Sequence, residues 1–202
     1  PVPAEERRQT MARLVRTNSM VQRLADRRLL AGSGLVWLVL AGVLFASRGR
    51  FSLAAVEQAC GLSAPDVRFA PSAADTQAFV AGCGADGLAA YRDLQLIDLV
   101  YPAAGALVLV VALALILVRV APHVAWLALV PLVAAIGDYL ENAAAWALLG
   151  AGGSDRGWAA QVLQVGSAVK VVGSWVSWLM LSSLVVALLV RAVARRRRVA
   201  GL

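Results

Sequence analysis

Metal- and redox-binding patterns are missing from this 202-residue chain. Histidine occurs once, at His123, and cysteine twice, at Cys60 and Cys83. No CxxC, HExxH or multi-histidine set occurs. A zinc or di-iron centre needs several such ligands converging on one point, so no metal or other cofactor is expected. The absence of a DDxxD diphosphate motif argues against the common prenyl-transferring membrane enzymes. Strand-like alternation, internal repeats and low-complexity tracts are missing too, which leaves a single all-α chain.

What the chain has is apolar length. It is 60% hydrophobic with a mean hydropathy of +0.74, against about 45–50% apolar residues in soluble domains. Four segments match the roughly 20 residues needed to cross a hydrocarbon core. The expected fold is all-α, a polytopic four-transmembrane-helix bundle with a small extracytoplasmic helical cap between helices 1 and 2. The expected division is a basic amphipathic arm over 1–28, membrane helices over 29–47, 94–118, 123–150 and 158–190, a helical loop over 48–93, and a basic tail over 191–202.

Arginine placement predicts orientation. Seven arginines lie in the arm and five in the tail and its approach (Arg191, Arg195, Arg196, Arg197, Arg198), with Arg119 at the turn between the second and third spans. The 48–93 loop mixes its arginines with Glu57, Asp66, Asp75, Asp86 and Asp93. The positive-inside rule then puts both termini in the cytoplasm of a multi-pass cell-membrane protein. On this reading the net charge of +7 attracts anionic lipid headgroups, not nucleic acid. The arm's Met11, Leu14, Val15, Met20, Val21 and Leu24 suggest a helix on the membrane surface. Its long charged lead-in, with no small-residue cleavage site clear of the apolar run, does not match a cleavable signal peptide. His123 reads as a helix-start residue.

Both cysteines fall in the loop, which predicts a Cys60–Cys83 disulfide on the non-cytoplasmic side. Ser52 is placed to cap a helix over Leu53–Cys60 that Gly61 ends. Ser72 with Asp75 forms a capping pattern for a second short helix. Asp86 is expected to cap a helix running without a break from Gly87 into the second span.

The informative residues are charges inside apolar spans: Asp98, Asp138, Glu141 and Lys170. An ionised group at a bilayer centre costs about 2.5–3.5 kcal/mol on insertion scales. Counting along the helices at about 1.5 Å per residue places Asp98 near the level of Glu141, and Asp138 level with Lys170. Asp138, Glu141 and Asn142 share one face at i, i+3 and i+4. Gln161, Gln164, Ser167, Lys170, Ser174 and Ser177 form a polar stripe along the fourth span. Pro102 removes the N–H that would bond the Asp98 carbonyl. The four charges are therefore expected to converge in the half of the bundle nearer the loop.

Asp98, Asp138 and Glu141 are the acid/base candidates, and Asn142, Lys170, Tyr101, Tyr139 and Gln164 the binding candidates. Trp146 and Trp175 are candidates for pocket walls. Three acids facing one base cannot all ionise cheaply in low dielectric, which favours a working site over stability alone. The asparagine-containing motifs around the aspartate pair of lipoprotein signal peptidases, another four-span family, do not occur beside Asp98 or Asp138, so no role is carried over. Three functions compete. One is an intramembrane acid/base or binding site for an apolar small molecule or lipid. The second is a proton- or cation-coupled transporter, which with four helices requires a homo-oligomer. The third is a structural or accessory subunit whose charges only fix helix register.

Overall fold

The computed structural model describes residues 18–150 and 157–199. Among these there is no strand, and four helices are long and apolar enough to cross a membrane. A helical segment over 18–24 precedes α1 (Arg27–Ala41), which Asp26 caps at the Arg28 N–H and which continues through a π-helical turn, Gly42–Ala46. Two short helices follow, α2 (Leu53–Cys60) and α3 (Ala73–Gly82). Then come α4 (Ala85–Asp98), α5 (Tyr101–Val120), α6 (Pro131–Gly150) and α7 (Gly157–Val199).

The short helices begin as their residues dictate. The Ser52 hydroxyl accepts from the Ala55 N–H, and Gly61 ends α2 in the left-handed region at φ 65°. Ser72 and Asp75 make a reciprocal capping box on α3, and the two Ser72 hydrogen bonds hold the Asp75 carboxyl below its ordinary range. Cys60 and Cys83 are disulfide-bonded. A Cβ on Gly87 would lie 2.7 Å from Cys60 Sγ and 2.9 Å from Cys83 Sγ, so the first turn of α4 packs directly on that bridge. Arg50 adds a two-pronged bond to Asp93 at 2.6 and 2.7 Å.

Three expectations need correction. Gly84, not Asp86, is the N-cap of α4; Asp86 sits in the first turn, where its charge favours the helix dipole without capping it. The second apolar stretch is not continuous. It breaks between Asp98 and Tyr101, because Pro102 cannot return a bond to the carbonyl four residues earlier. The third span, expected over 123–150, is one candidate membrane helix over Pro122–Gly150, with a 3-10 segment, Pro122–Leu129, ahead of α6. The 151–156 turn and the Met11, Leu14 and Val15 portion of the arm lie outside the described residues. Val21, expected at a membrane surface, is fully buried with Leu113, Leu117 and Ala128.

The tightest helix pair is α6 with α7, and glycine makes it so. A Cβ on Gly137 would meet the Lys170 backbone nitrogen at 2.5 Å, and one on Gly166 the Glu141 nitrogen at 2.7 Å. A Cβ on Gly173 would lie 2.9 Å from the Ala134 nitrogen. Small residues that let backbones touch are the usual means of helix association where the surroundings are apolar. This seam fixes the relative height and phase of Asp138, Glu141 and Lys170.

Candidate functional site

The site assembles from four elements. On α6, the i, i+3, i+4 spacing puts Asp138, Glu141 and Asn142 on one buried face. Across the glycine seam, Lys170 of α7 forms an ion pair with Glu141 and lies 3.7 Å from Asp138 Oδ1. Its ammonium also donates to the Asp66 carbonyl at 3.0 Å. The break before α5 exposes the Asp98 carbonyl, and Asn142 Nδ2 donates to it at 3.0 Å. The Tyr139 hydroxyl donates to the Leu99 carbonyl, in the same break, at 3.0 Å.

Asp66 is the member that sequence reasoning missed. It was placed among loop acids that dilute positive charge, yet the short 3-10 turn Pro65–Val67 folds inward. Ser167 of α7 holds the following residues: its hydroxyl donates to the Arg68 carbonyl at 3.0 Å and accepts from the Ala70 N–H at 3.3 Å. Ala70 takes a left-handed φ of 44° to make that turn, a conformation costing about 1–3 kcal/mol in a non-glycine residue. Gln95, fully buried on α4, donates to Asp66 Oδ2 at 3.0 Å. Burial, reinforced by the charge of Asp98 and opposed by Lys170, pushes the Asp66 carboxyl up to about 6. The polar Ser167 in the α7 stripe was the only signal that something polar would dock there.

These groups border a cavity of about 380 Å³. Asp66, Asp98, Asp138 and Lys170 form its charged wall; Leu44, Phe45, Leu53, Val67 and Leu94 form an apolar one. Tyr101, Val171, Ser174 and Trp175 complete the lining. Tyr101 is held between Trp37, stacked at 6.2 Å, and Phe45, edge-on at 5.8 Å. A second cavity of about 110 Å³ lies beside Trp37, Gly105 and Pro131 and shares Tyr101, Asp138 and Ser174 with the first.

Of the candidate residues, Asp98, Asp138, Lys170, Tyr101 and Trp175 line the larger cavity. Glu141 does not: it is fully buried behind Lys170. Asn142 acts behind the wall through Asp98. Gln164 and Trp146 are half-buried and line neither cavity. Along the α7 stripe, Ser167 and Ser177 are buried whereas Gln161 is exposed. Among the described residues, no three acids, histidines or cysteines converge in a way that could hold a metal ion.

No protein-family model, curated protein or solved structure matches this chain. Function is therefore argued from the site.

Proposed function

We propose that this chain is an integral membrane protein that takes an apolar small molecule or lipid into the cavity between α1, α4, α6 and α7. The carrying observation is the two-sided lining, with three carboxylates and a lysine opposite five aliphatic or aromatic side chains. A pocket with a few convergent polar groups on an apolar wall is the common form of a small-molecule site. The rim residues Phe45, Val67 and Trp175 are 58%, 47% and 64% exposed, so an apolar ligand meets apolar surface at the entrance.

Within that reading the charges divide their labour. Glu141 and Lys170 form the supporting pair: Glu141 is fully buried behind the wall, and the Lys170 ammonium, which lines the cavity, is held by it. Asp98 and Asp138 are the groups placed to exchange a proton with a ligand, and Asn142 fastens the Asp98 backbone through its carbonyl. The four apolar helices act as a bundle, with the loop over 48–93 as an extracytoplasmic cap and both termini in the cytoplasm. At the opposite end Arg119, Arg191 and Arg195 border a polar hollow, suited to anionic lipid headgroups.

The test is photolabelling in native membranes with a short alkyl diazirine. Cross-links concentrated on Phe45, Leu53, Val67 and Leu94, and reduced in Asp138→Asn protein that melts like the wild type, support the proposal. Labelling spread evenly over the exposed faces of α1 and α7, unchanged by the substitution, contradicts it.

A further inference from the structure

The lining also says what charge the ligand carries. Lys170 pairs with Glu141, donates to the Asp66 carbonyl at 3.0 Å and lies at ion-pair distance from Asp138. Its charge is committed to the wall. Among the described residues Lys170 is also the only cation bordering the cavity, against Asp66, Asp98 and Asp138.

Two of those carboxylates are incompletely satisfied. Asp138 is only 8% exposed, and its Oδ1, like Asp66 Oδ1, is buried without a hydrogen-bond donor. The 3.7 Å to Lys170 is an ion-pair separation, too long for a hydrogen bond. Three aromatic rings, Phe45, Tyr101 and Trp175, stand in the same lining. Carboxylates together with ring faces are the surroundings that favour an organic cation, through charge and through the ring quadrupole. An anionic head would meet a wall with more carboxyl groups than cations, and a neutral head would leave the ionised ones without a counter-charge.

We infer that the cavity binds an amphiphile bearing a protonated or quaternary amine, its nitrogen beside Asp138 and Asp66 among the Phe45, Tyr101 and Trp175 rings and its alkyl body against Leu44, Leu53 and Leu94. This rests on the proposed ligand site and narrows it to a chemical class. At about 30 Å³ for each water-sized group, 380 Å³ accommodates about a dozen non-hydrogen atoms, the size of a single-chain amine with one short tail.

The experiment compares three probes of that size on purified wild-type protein in detergent, read as the rise in thermal midpoint with concentration. The probes are N,N-dimethyloctylamine, trimethyloctylammonium and neutral N,N-dimethyloctanamide. Both cations are expected to stabilise saturably, with apparent affinities at least about tenfold tighter than the amide's. Asp138→Asn is expected to lose about that factor for the cations and little for the amide. Asp98→Asn serves if that variant does not fold, and the wild-type comparison decides without either. Equal stabilisation by amide and amines overturns the cation preference while leaving the ligand site standing. Stabilisation by none of the three overturns the ligand site itself.

Discussion

Lys170 is the chain's only lysine among 19 basic residues, and its nearest acid is Glu141, with Asp138 farther off at 3.7 Å. Depth counting matched Lys170 to Asp138: the Lys170 backbone lies against Gly137, and its ammonium, near Asp138, also pairs with Glu141 one turn along α6. Removing one member of a buried pair costs about 3–5 kcal/mol, because the remaining charge is left in low dielectric. Lys170→Met should therefore lose that much in denaturant or thermal unfolding. Glu141→Gln added to it should recover most of the loss, and Asp138→Asn clearly less. Equal rescue by the two would place Lys170 elsewhere. Asp66 makes a second prediction at this scale. Its carboxyl is pushed up to about 6, chiefly by burial, so folding favours the protonated form. The attachment of its turn is strongest below the ordinary carboxyl range near 3.8 and weakens as pH rises through about 6. Amide protection over 64–70, after correction for the intrinsic pH dependence of exchange, should be higher at pH 5 than at pH 7.5, and Asp66→Asn should flatten the difference.

At the scale of elements, the α6–α7 seam sets the geometry. Gly166→Ala places a Cβ 2.7 Å from the Glu141 backbone nitrogen, and backbone cannot step aside as a flexible side chain does. The helices must part, at about 1–3 kcal/mol, and the Lys170–Glu141 contact must lengthen. Gly34→Ala is the control: nothing lies within 4 Å of its added Cβ, and the helical preference for alanine of about 1 kcal/mol should make it neutral or stabilising. A Gly166→Ala melting point at or above that of Gly34→Ala would refute the seam. The helix caps at Ser52, Gly61 and Ser72 were legible because capping is local chemistry. So was the freed Asp98 carbonyl, since Pro102 sits four residues on. The break at Leu99 and Val100 was not, because how far a proline opens a helix depends on what satisfies the released groups. Here Asn142 and Tyr139 supply the bonds.

Across the whole molecule, period and hydropathy sufficed for an all-helical chain with four membrane-length helices, and charge inside those helices was enough to mark Asp98, Asp138 and Lys170. Asp66 was hidden because its burial depends on a long-range event, the docking of the 65–70 turn on Ser167 about a hundred residues later. The disulfide between Cys60 and Cys83 brackets that turn, and closing a loop of this size stabilises by roughly 3 kcal/mol. The loop thus belongs to the site as much as the helices do.

The uniqueness of Lys170 allows a direct test of whether the charges share one enclosed space. Protein labelled with ¹⁵Nζ-lysine and side-chain ¹³C-carboxyl glutamate and aspartate in lipid bilayers gives one ammonium resonance for dipolar-distance measurement. The account predicts strong dephasing by a glutamate carboxyl and weaker dephasing by an aspartate, consistent with 3.7 Å, with the glutamate effect abolished by Glu141→Gln. A mobile ammonium signal with no carboxyl dephasing would contradict it.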